Sequence, residues 1–470
     1  MDRKTGASLT FINCEKGFVI MADKIVRPEG PDGGLFGIKS LFRFQQDTLG
    51  FLSNTAENYG KLVYFRMAAF HFYLVNSPDL ISEALIGQGN KLLKWPRQTD
   101  TWANAVGPST LTMEGDTWKS HRKLLNPAFH SQTIKRYLGI VIDHTERLLN
   151  RWQDGGTYEM MFEMMRTTMG IIADIIFSVK DIERDAAELN RALTDVFEVL
   201  TARTTAFQQI PSWIPTRDNL RIKEASRIIE NFVLKFIRER RAEGLDHGDI
   251  LSDLLMAQDD ETGAKLSDIE IANELKTLFG AGHETTALML MWTIYLLAMN
   301  TDVQENLFIE AKFTFNNRSP LLEDLKVMPY TEKVINESMR LYPPAWSLMV
   351  RQAKEPLQLG DTLLPKGSLL LIPMWIVHRN PNIYPDPLRF DPERFDGEWR
   401  KRIPKYAFFP FGGGPHVCIG AQLAMFEGQI ILPMMVKSFR FEDVARPEIK
   451  LQALLTLRPK GGLKIKVIKR

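Results

Sequence analysis

The chain has 470 residues, 59 basic against 57 acidic for a net charge of +2, and 44% apolar side chains. The near balance of charge excludes a nucleic-acid-binding surface spread over the chain. Its two cysteines, Cys14 and Cys418, lie at opposite ends and exclude a disulfide framework or a CxxC zinc site.

No linker, repeat or low-complexity tract divides the sequence, so residues 30–470 are expected to form a single domain behind an N-terminal extension, 1–29. Met1–Lys24 is studded with charges and lacks the apolar core of a signal peptide. The longest apolar run, Ala287–Met299, falls short of the about 20 residues of a membrane span. A soluble, cytoplasmic protein in a reducing compartment is expected. Leu35–Phe44 (LFGIKSLFRF) reads as an amphipathic helix covering the core, with peripheral contact to a membrane surface as the alternative. Leu62–Arg66 and Phe70–Val75 are β-rich runs around a short break, the pattern of a hairpin. Trp118 and Arg122 are four apart on one helical face, followed by Lys123, an arrangement able to grip a carboxylate. A packed Trp beside a surface Arg gives the same spacing. Ile210–Pro215 (IPSWIP) falls between helical regions and reads equally as a wall of a pocket mouth or as a stiff loop on the core.

Ser267-Asp268-Ile269-Glu270 opens the clearest helix with a capping box, and its periodicity continues to about Asn300, roughly 50 Å at about 1.5 Å per residue. Gly280 and Gly282 each cost about 1 kcal/mol there relative to Ala, and they directly precede His283-Glu284-Thr285-Thr286. A zinc-protease motif needs a second His four residues after the first, and position 287 is Ala. What remains is an acid beside a hydroxyl on a loosened helix, a pair able to relay protons. The alternative is a solvated Glu and a Thr bonded back to its own turn. Glu337 and Arg340 share a face of the helical segment after Pro329.

Two further β-rich regions, Leu357–Val377 with turns at Gly360-Asp361 and Pro365-Lys366-Gly367, and Leu451–Ile468 around Gly461-Gly462, complete a mainly α fold with a smaller β portion. Between them Phe411–Gly420 (FGGGPHVCIG) sets Cys418 among glycines ahead of a helix-like run, Ala421–Val436. A helix N-terminus lowers a thiol's pKa and small residues admit a flat ligand, which makes Cys418 a candidate metal ligand; an inert core thiol is the alternative.

Together and in this order, Trp118-x-x-x-Arg122, Ala281–Thr286 (AGHETT), Glu337-x-x-Arg340, Pro392-Glu393-Arg394-Phe395 and Phe411-x-x-Gly414-x-His416-x-Cys418-x-Gly420 resemble the cytochrome P-450 superfamily of heme-thiolate monooxygenases, over about residues 30 to 470. The resemblance implies a cytochrome P-450-like fold with a long central helix over the heme, and heme b (iron protoporphyrin IX) as cofactor. It implies Cys418 as the proximal ligand, with Phe411 packed near the sulfur and Gly420 completing the cofactor-binding frame; thiolate ligation favours O–O cleavage. Trp118, Arg122 and His416, joined by Arg351, match positions that hold the heme propionates, although many members have Arg where this chain has His416. Glu284 and Thr285 match the distal acid and alcohol that deliver protons during O2 activation. Glu337, Arg340 and Arg394 match a buried structural triad. Pocket walls are implied at Leu92, Trp95 and Trp102, along Phe279 and Ala281, at Ala345, Trp346 and Leu348, and near Leu455.

The activity implied is insertion of one oxygen atom from O2 into a hydrophobic small molecule, such as a fatty acid or terpenoid, by a soluble bacterial-type member similar to the fatty-acid-hydroxylating groups. The chain stops soon after Cys418, so a separate electron donor is expected: a ferredoxin, flavodoxin or flavoprotein reductase. Lys119, Lys123, Lys401, Arg402 and Lys405 are its candidate docking residues. A peroxide-using or isomerising heme-thiolate enzyme and a non-catalytic heme sensor are the alternatives, the first disfavoured by the Glu284-Thr285 pair.

Overall fold

A helix that is apolar on every side is stable only inside a core. Met160–Phe177 (MMFEMMRTTMGIIADIIF) is such a helix, and it packs along the central helix Asp268–Met299 more extensively than any other pair of elements in the molecule. In the computed structural model, which describes residues 27–180, 183–205, 210–259, 261–444 and 449–470, the fold is mainly helical with small sheets at its edges. Cys14 and Met1–Lys24 lie outside the described residues.

The central helix opens on the expected capping box: Glu270 N–H donates to Ser267 Oγ (3.3 Å) and Ser267 N–H donates to the Glu270 carboxylate (2.8 Å). It runs unbroken for 32 residues. Gly282 has a packing reason, because a Cβ there would meet Ile172 of the neighbouring helix at 3.0 Å. Thr168 of that helix also reaches across to donate to the His283 carbonyl (2.8 Å). Gly282 thus brings the two helices together, and both Gly280 and Gly282 face the cavity described below.

Strands β1 (Leu62–Met67) and β2 (Phe70–Val75) form the expected hairpin. β3 (Leu92–Lys94), β4 (Thr157–Glu159) and β5 (Arg351–Ala353) are three-residue strands with no sequence signal of their own. β6 (Leu357–Leu359) and β7 (Thr362–Leu364) turn at Gly360, and β8 (Leu369–Leu371) follows. The β-rich region stops there instead of reaching Val377, since Pro373 caps a helical turn, Met374–Val377. β9 (Phe439–Asp443), β10 (Leu451–Ala453), β11 (Leu457–Pro459) and β12 (Lys464–Lys469) end the chain.

The largest sheet has the order β1-β2-β8-β5-β3, with β2 and β8 parallel and the other pairs antiparallel. Its register sets Lys94 of β3 opposite Arg351 of β5. A second sheet, β4-β12-β9, ties the end of the chain to residues 157–159. The helix Ile38–Gln46 buries Phe44 yet leaves Phe42, and Leu35 and Phe36 just ahead of it, exposed. The buried Phe44 is the inward contact expected of a helix that covers the core. Ile210–Pro215 is neither a cavity wall nor a packed loop: Trp213 is 81% exposed. No single described helix is long and apolar enough to cross a membrane.

Candidate functional site

One cavity of about 520 Å³ joins Cys418 to the middle of the central helix. Cys418 sits just before the helix Ala421–Ser438, whose N-cap is Gly420. Its N–H donates to the Phe411 carbonyl (2.9 Å), which folds the loop back on itself. Gly413 and Gly414 are small because protein, not ligand, crowds them. A Cβ on Gly413 would lie 2.2 Å from the Tyr406 ring, and Gly414, at φ +68°, would meet the Leu85 carbonyl at 2.9 Å. The sulfur is reachable through the cavity but otherwise surrounded by protein. The expected lowering of its pKa is not what the structure gives. Burial pushes the Cys418 thiol up, opposed by the Gly420 N–H and by Arg122, because desolvation disfavours the charged thiolate.

Cations ring one side of the cavity. Arg122 donates to the Val417 carbonyl (3.0 Å) and to Asn126 (2.9 Å), and the Trp118 ring lies 4.2 Å from that of His416. Arg351 is buried and donates to the Met349 carbonyl (3.2 Å). Beside it in register stands Lys94, which sequence reading missed. Its ammonium donates to the carbonyls of Met113 (2.7 Å) and Thr110 (3.1 Å), and burial pushes its pKa down to about 8. Like charges directly opposite across strands repel, but at Lys94 the attraction of Glu114, 4.0 Å away and 3.4 Å from His416, outweighs the Arg351 repulsion, so that burial is what lowers the pKa. His416 Nδ1 is buried with no hydrogen-bond partner among the described residues. This donor set fits a flat apolar group that carries carboxylates on one edge and a metal that takes a thiolate.

Opposite Cys418, Thr285 lines the cavity and donates back to the Ala281 carbonyl (2.8 Å), which leaves its oxygen lone pairs free. Glu284 also lines the cavity but is not solvated. It is 1% exposed and ion-paired with Arg458 at 2.7 Å. Burial lowers the pKa of neighbouring His283, holding its imidazole neutral.

Of the expected pocket walls, Trp95, Trp102, Ala281, Ala345, Trp346, Leu348 and Leu455 line this cavity. Two do not. Leu92 packs in a separate apolar cluster under the large sheet, although Lys94, two residues on along the same face of β3, lines the cavity, and Phe279 packs between Phe177 and Phe232 on the far face of the central helix. Phe197, Leu200 and Met349 were missed and close the apolar surface.

Below the cavity, Arg340 donates to both oxygens of Glu337 (2.6 and 2.8 Å) and to the His378 and Pro387 carbonyls, with Arg394 3.4 Å from Glu337. Glu337 and Arg340 are completely buried. Of the surface cations, Lys119, Lys123 and Lys401 are ion-paired with Asp116, Asp259 and Glu398; Arg402 donates to backbone carbonyls and Lys405 lies over Tyr406.

The cytochrome P450 family profile matches residues 28–467. The chain is 34% identical over 386 residues to cyclooctat-9-en-7-ol 5-monooxygenase of Streptomyces melanosporofaciens, covering 82% of this chain and 83% of that protein. It is 34% identical over 406 residues to a cytokinin hydroxylase of Arabidopsis thaliana, covering 82% and 77%. It is 33% identical over 391 residues to cytochrome P450 4F3 of Mus musculus, covering 77% and 74%. A cavity that opens on a cysteine loop, a ring of cations and a central-helix acid and alcohol agrees with these matches, and the chain belongs to the cytochrome P450 family of heme-thiolate monooxygenases.

Proposed function

We propose that this monooxygenase binds heme b through Cys418 and hydroxylates a hydrophobic molecule of the fatty-acid or terpenoid class, with electrons from a separate ferredoxin, flavodoxin or flavoprotein reductase. The observation that carries this reading is the single cavity connecting Cys418, Glu284, Thr285 and the apolar walls. When bound, the heme supplies O2 activation and oxygen transfer. The chain's own groups supply the rest. Cys418 provides the thiolate; Lys94, Trp118, Arg122, Arg351 and His416 hold the propionates. Trp102, Phe197 and Leu455 exclude water and select substrate by shape. Glu284 and Thr285 hold and pass protons at their side-chain oxygens.

The names of the bacterial and plant relatives, a monooxygenase of an unsaturated alcohol and a cytokinin hydroxylase, favour testing apolar substrates that carry a polar group. We assign a cytoplasmic location in which Leu35, Phe36 and Phe42 touch a membrane surface peripherally, because these exposed side chains flank Leu41 and Phe44 of the cavity wall. The test is mass spectrometry of products from a fatty-acid and terpenoid panel, run with a surrogate redox pair. A product 16 mass units heavier than its substrate, formed only with reductant, is expected. Reductant consumption without oxygenated product across the whole panel overturns the substrate class.

A further inference from the structure

Two hydrogen bonds and an ion-pair contact converge on one oxygen of Glu284. Arg458 Nε lies 2.9 Å from Oε1 and Arg458 Nη2 2.7 Å from the same atom, and Thr456 Oγ1 donates to it as well. Among the described residues Oε2 accepts no hydrogen bond. Arg458 is itself 7% exposed and stands behind the cavity wall, while Thr456 is part of that wall.

The segment that carries both donors is fixed from two directions. Trp292 of the central helix donates its indole N–H to the Leu457 carbonyl (2.9 Å), and Leu457 N–H donates to the Pro344 carbonyl (2.9 Å). The charged and titratable groups set against Glu284 are Arg458 from β11 and neutral His283, next to it on the central helix. The one hydrogen bond Arg458 gives Glu284, from Nε, and the close approach of its Nη2 both fall on Oε1, unlike the bidentate fork usual for an Arg–carboxylate pair, in which each oxygen takes one bond. The carboxylate is held asymmetrically, by one oxygen.

We propose that Arg458 and Thr456 are positioning residues that pin Glu284 by Oε1 and so present Oε2 alone for proton transfer. A carboxylate fixed in this way does not rotate between a donor and an acceptor. Oε2 takes a proton from solvent and passes the same proton on, and the carboxylate ends as it began. The inference rests on the relay reading of Glu284, so its test separates the two.

The experiment uses the heme-loaded enzyme and its Arg458→Gln, Arg458→Lys, Thr456→Val and Glu284→Gln variants. It reads product formed per reductant consumed, the solvent isotope effect, and the infrared carboxylate stretches of Glu284, identified by their loss in Glu284→Gln. A carboxylate bound by one oxygen has a wider separation of antisymmetric and symmetric stretches than one with equivalent oxygens. That separation is expected to narrow in Arg458→Gln. Coupling is expected to fall by about tenfold with a larger solvent isotope effect, since small misplacement of a reacting group costs up to about 10²-fold. Arg458→Lys is expected to restore part of the coupling, because charge returns without the fixed Nε donor. Thr456→Val, which removes one donor and leaves the charge, is expected to move each readout in the same direction by less, and serves if Arg458→Gln does not fold. Parental coupling and stretch separation in both Arg458→Gln and Thr456→Val would overturn the proposal. Parental coupling in Glu284→Gln would instead sink the relay reading, with the infrared separation still deciding whether Oε1 is pinned.

Discussion

Burial pushes the Cys418 thiol up against the pull of the Gly420 N–H and Arg122, so the sulfur is a poor anion until a metal replaces its proton. Cys418→Ala is therefore expected to abolish the red-shifted carbon-monoxide difference band of the reduced enzyme, and Cys14→Ala to keep it; the spectrum of each variant checks this. Thr285, whose hydroxyl hydrogen is used on the Ala281 carbonyl, offers only its lone pairs to the cavity. Thr285→Ala should keep cofactor content and divert reductant to hydrogen peroxide, lowering product per reductant by about tenfold or more. Peroxide yield measured beside oxygen uptake decides it. Cys418 was legible in the sequence because its signal is local, ten residues of fixed spacing. Lys94 and Arg458 were not, because their meaning comes from partners more than 170 positions away: Lys94 opposite Arg351, and Arg458 on Glu284.

Among elements, the central helix does more than roof the cavity. Glu274 on it accepts from Thr110 N–H (2.8 Å), Thr110 Oγ1 (2.9 Å) and His121 Nδ1 (2.9 Å), and so fixes the helix Gly115–Leu125 that carries Trp118 and Arg122. The hydrogen bond His121 donates to Glu274 raises the His121 pKa above 6.5, with burial opposing. A histidine whose folded pKa exceeds its unfolded value adds stability that is complete below the unfolded pKa and fades as pH rises through the folded one. Thermal unfolding of His121→Gln should thus fall furthest below the parent at a pH below the ordinary histidine value of about 6.5, with the gap closing as the pH rises through the raised value of the folded state. A gap independent of pH would show that His121 acts by packing alone. The capping box made the start of this helix readable, whereas the reason for Gly282 was not readable, since it lies in Ile172 of another helix. The three-residue strands carry too few side chains to show a period, which is why β3 and with it the place of Leu92 outside the cavity went unseen.

At the scale of the whole molecule the net charge of +2 hides local asymmetry. Lys119, Lys123 and Lys401 already have acidic partners, which leaves Arg402 and Lys405 as the stronger candidates for steering an acidic electron donor. Arg402→Glu and Lys405→Glu should slow reduction by the donor and flatten its salt dependence, without altering substrate binding; stopped-flow reduction from low to high salt measures both. The mainly helical architecture followed from periodicity, but the sheet order β1-β2-β8-β5-β3 could not, because parallel pairing of β2 with β8 joins segments almost 300 residues apart.

The pairing of Lys464 with Glu159 sets a clock on the birth of this enzyme. On a ribosome that adds about 5–20 residues per second, strand β4 waits at least about 15 s for β12. The strands carrying Thr456 and Arg458 emerge in that same closing interval. Ribosome-arrested chains ending before residue 464 are therefore expected to be protease-sensitive and without heme, whereas arrest on a linker long enough to expose residue 470 is expected to yield both protection and colour.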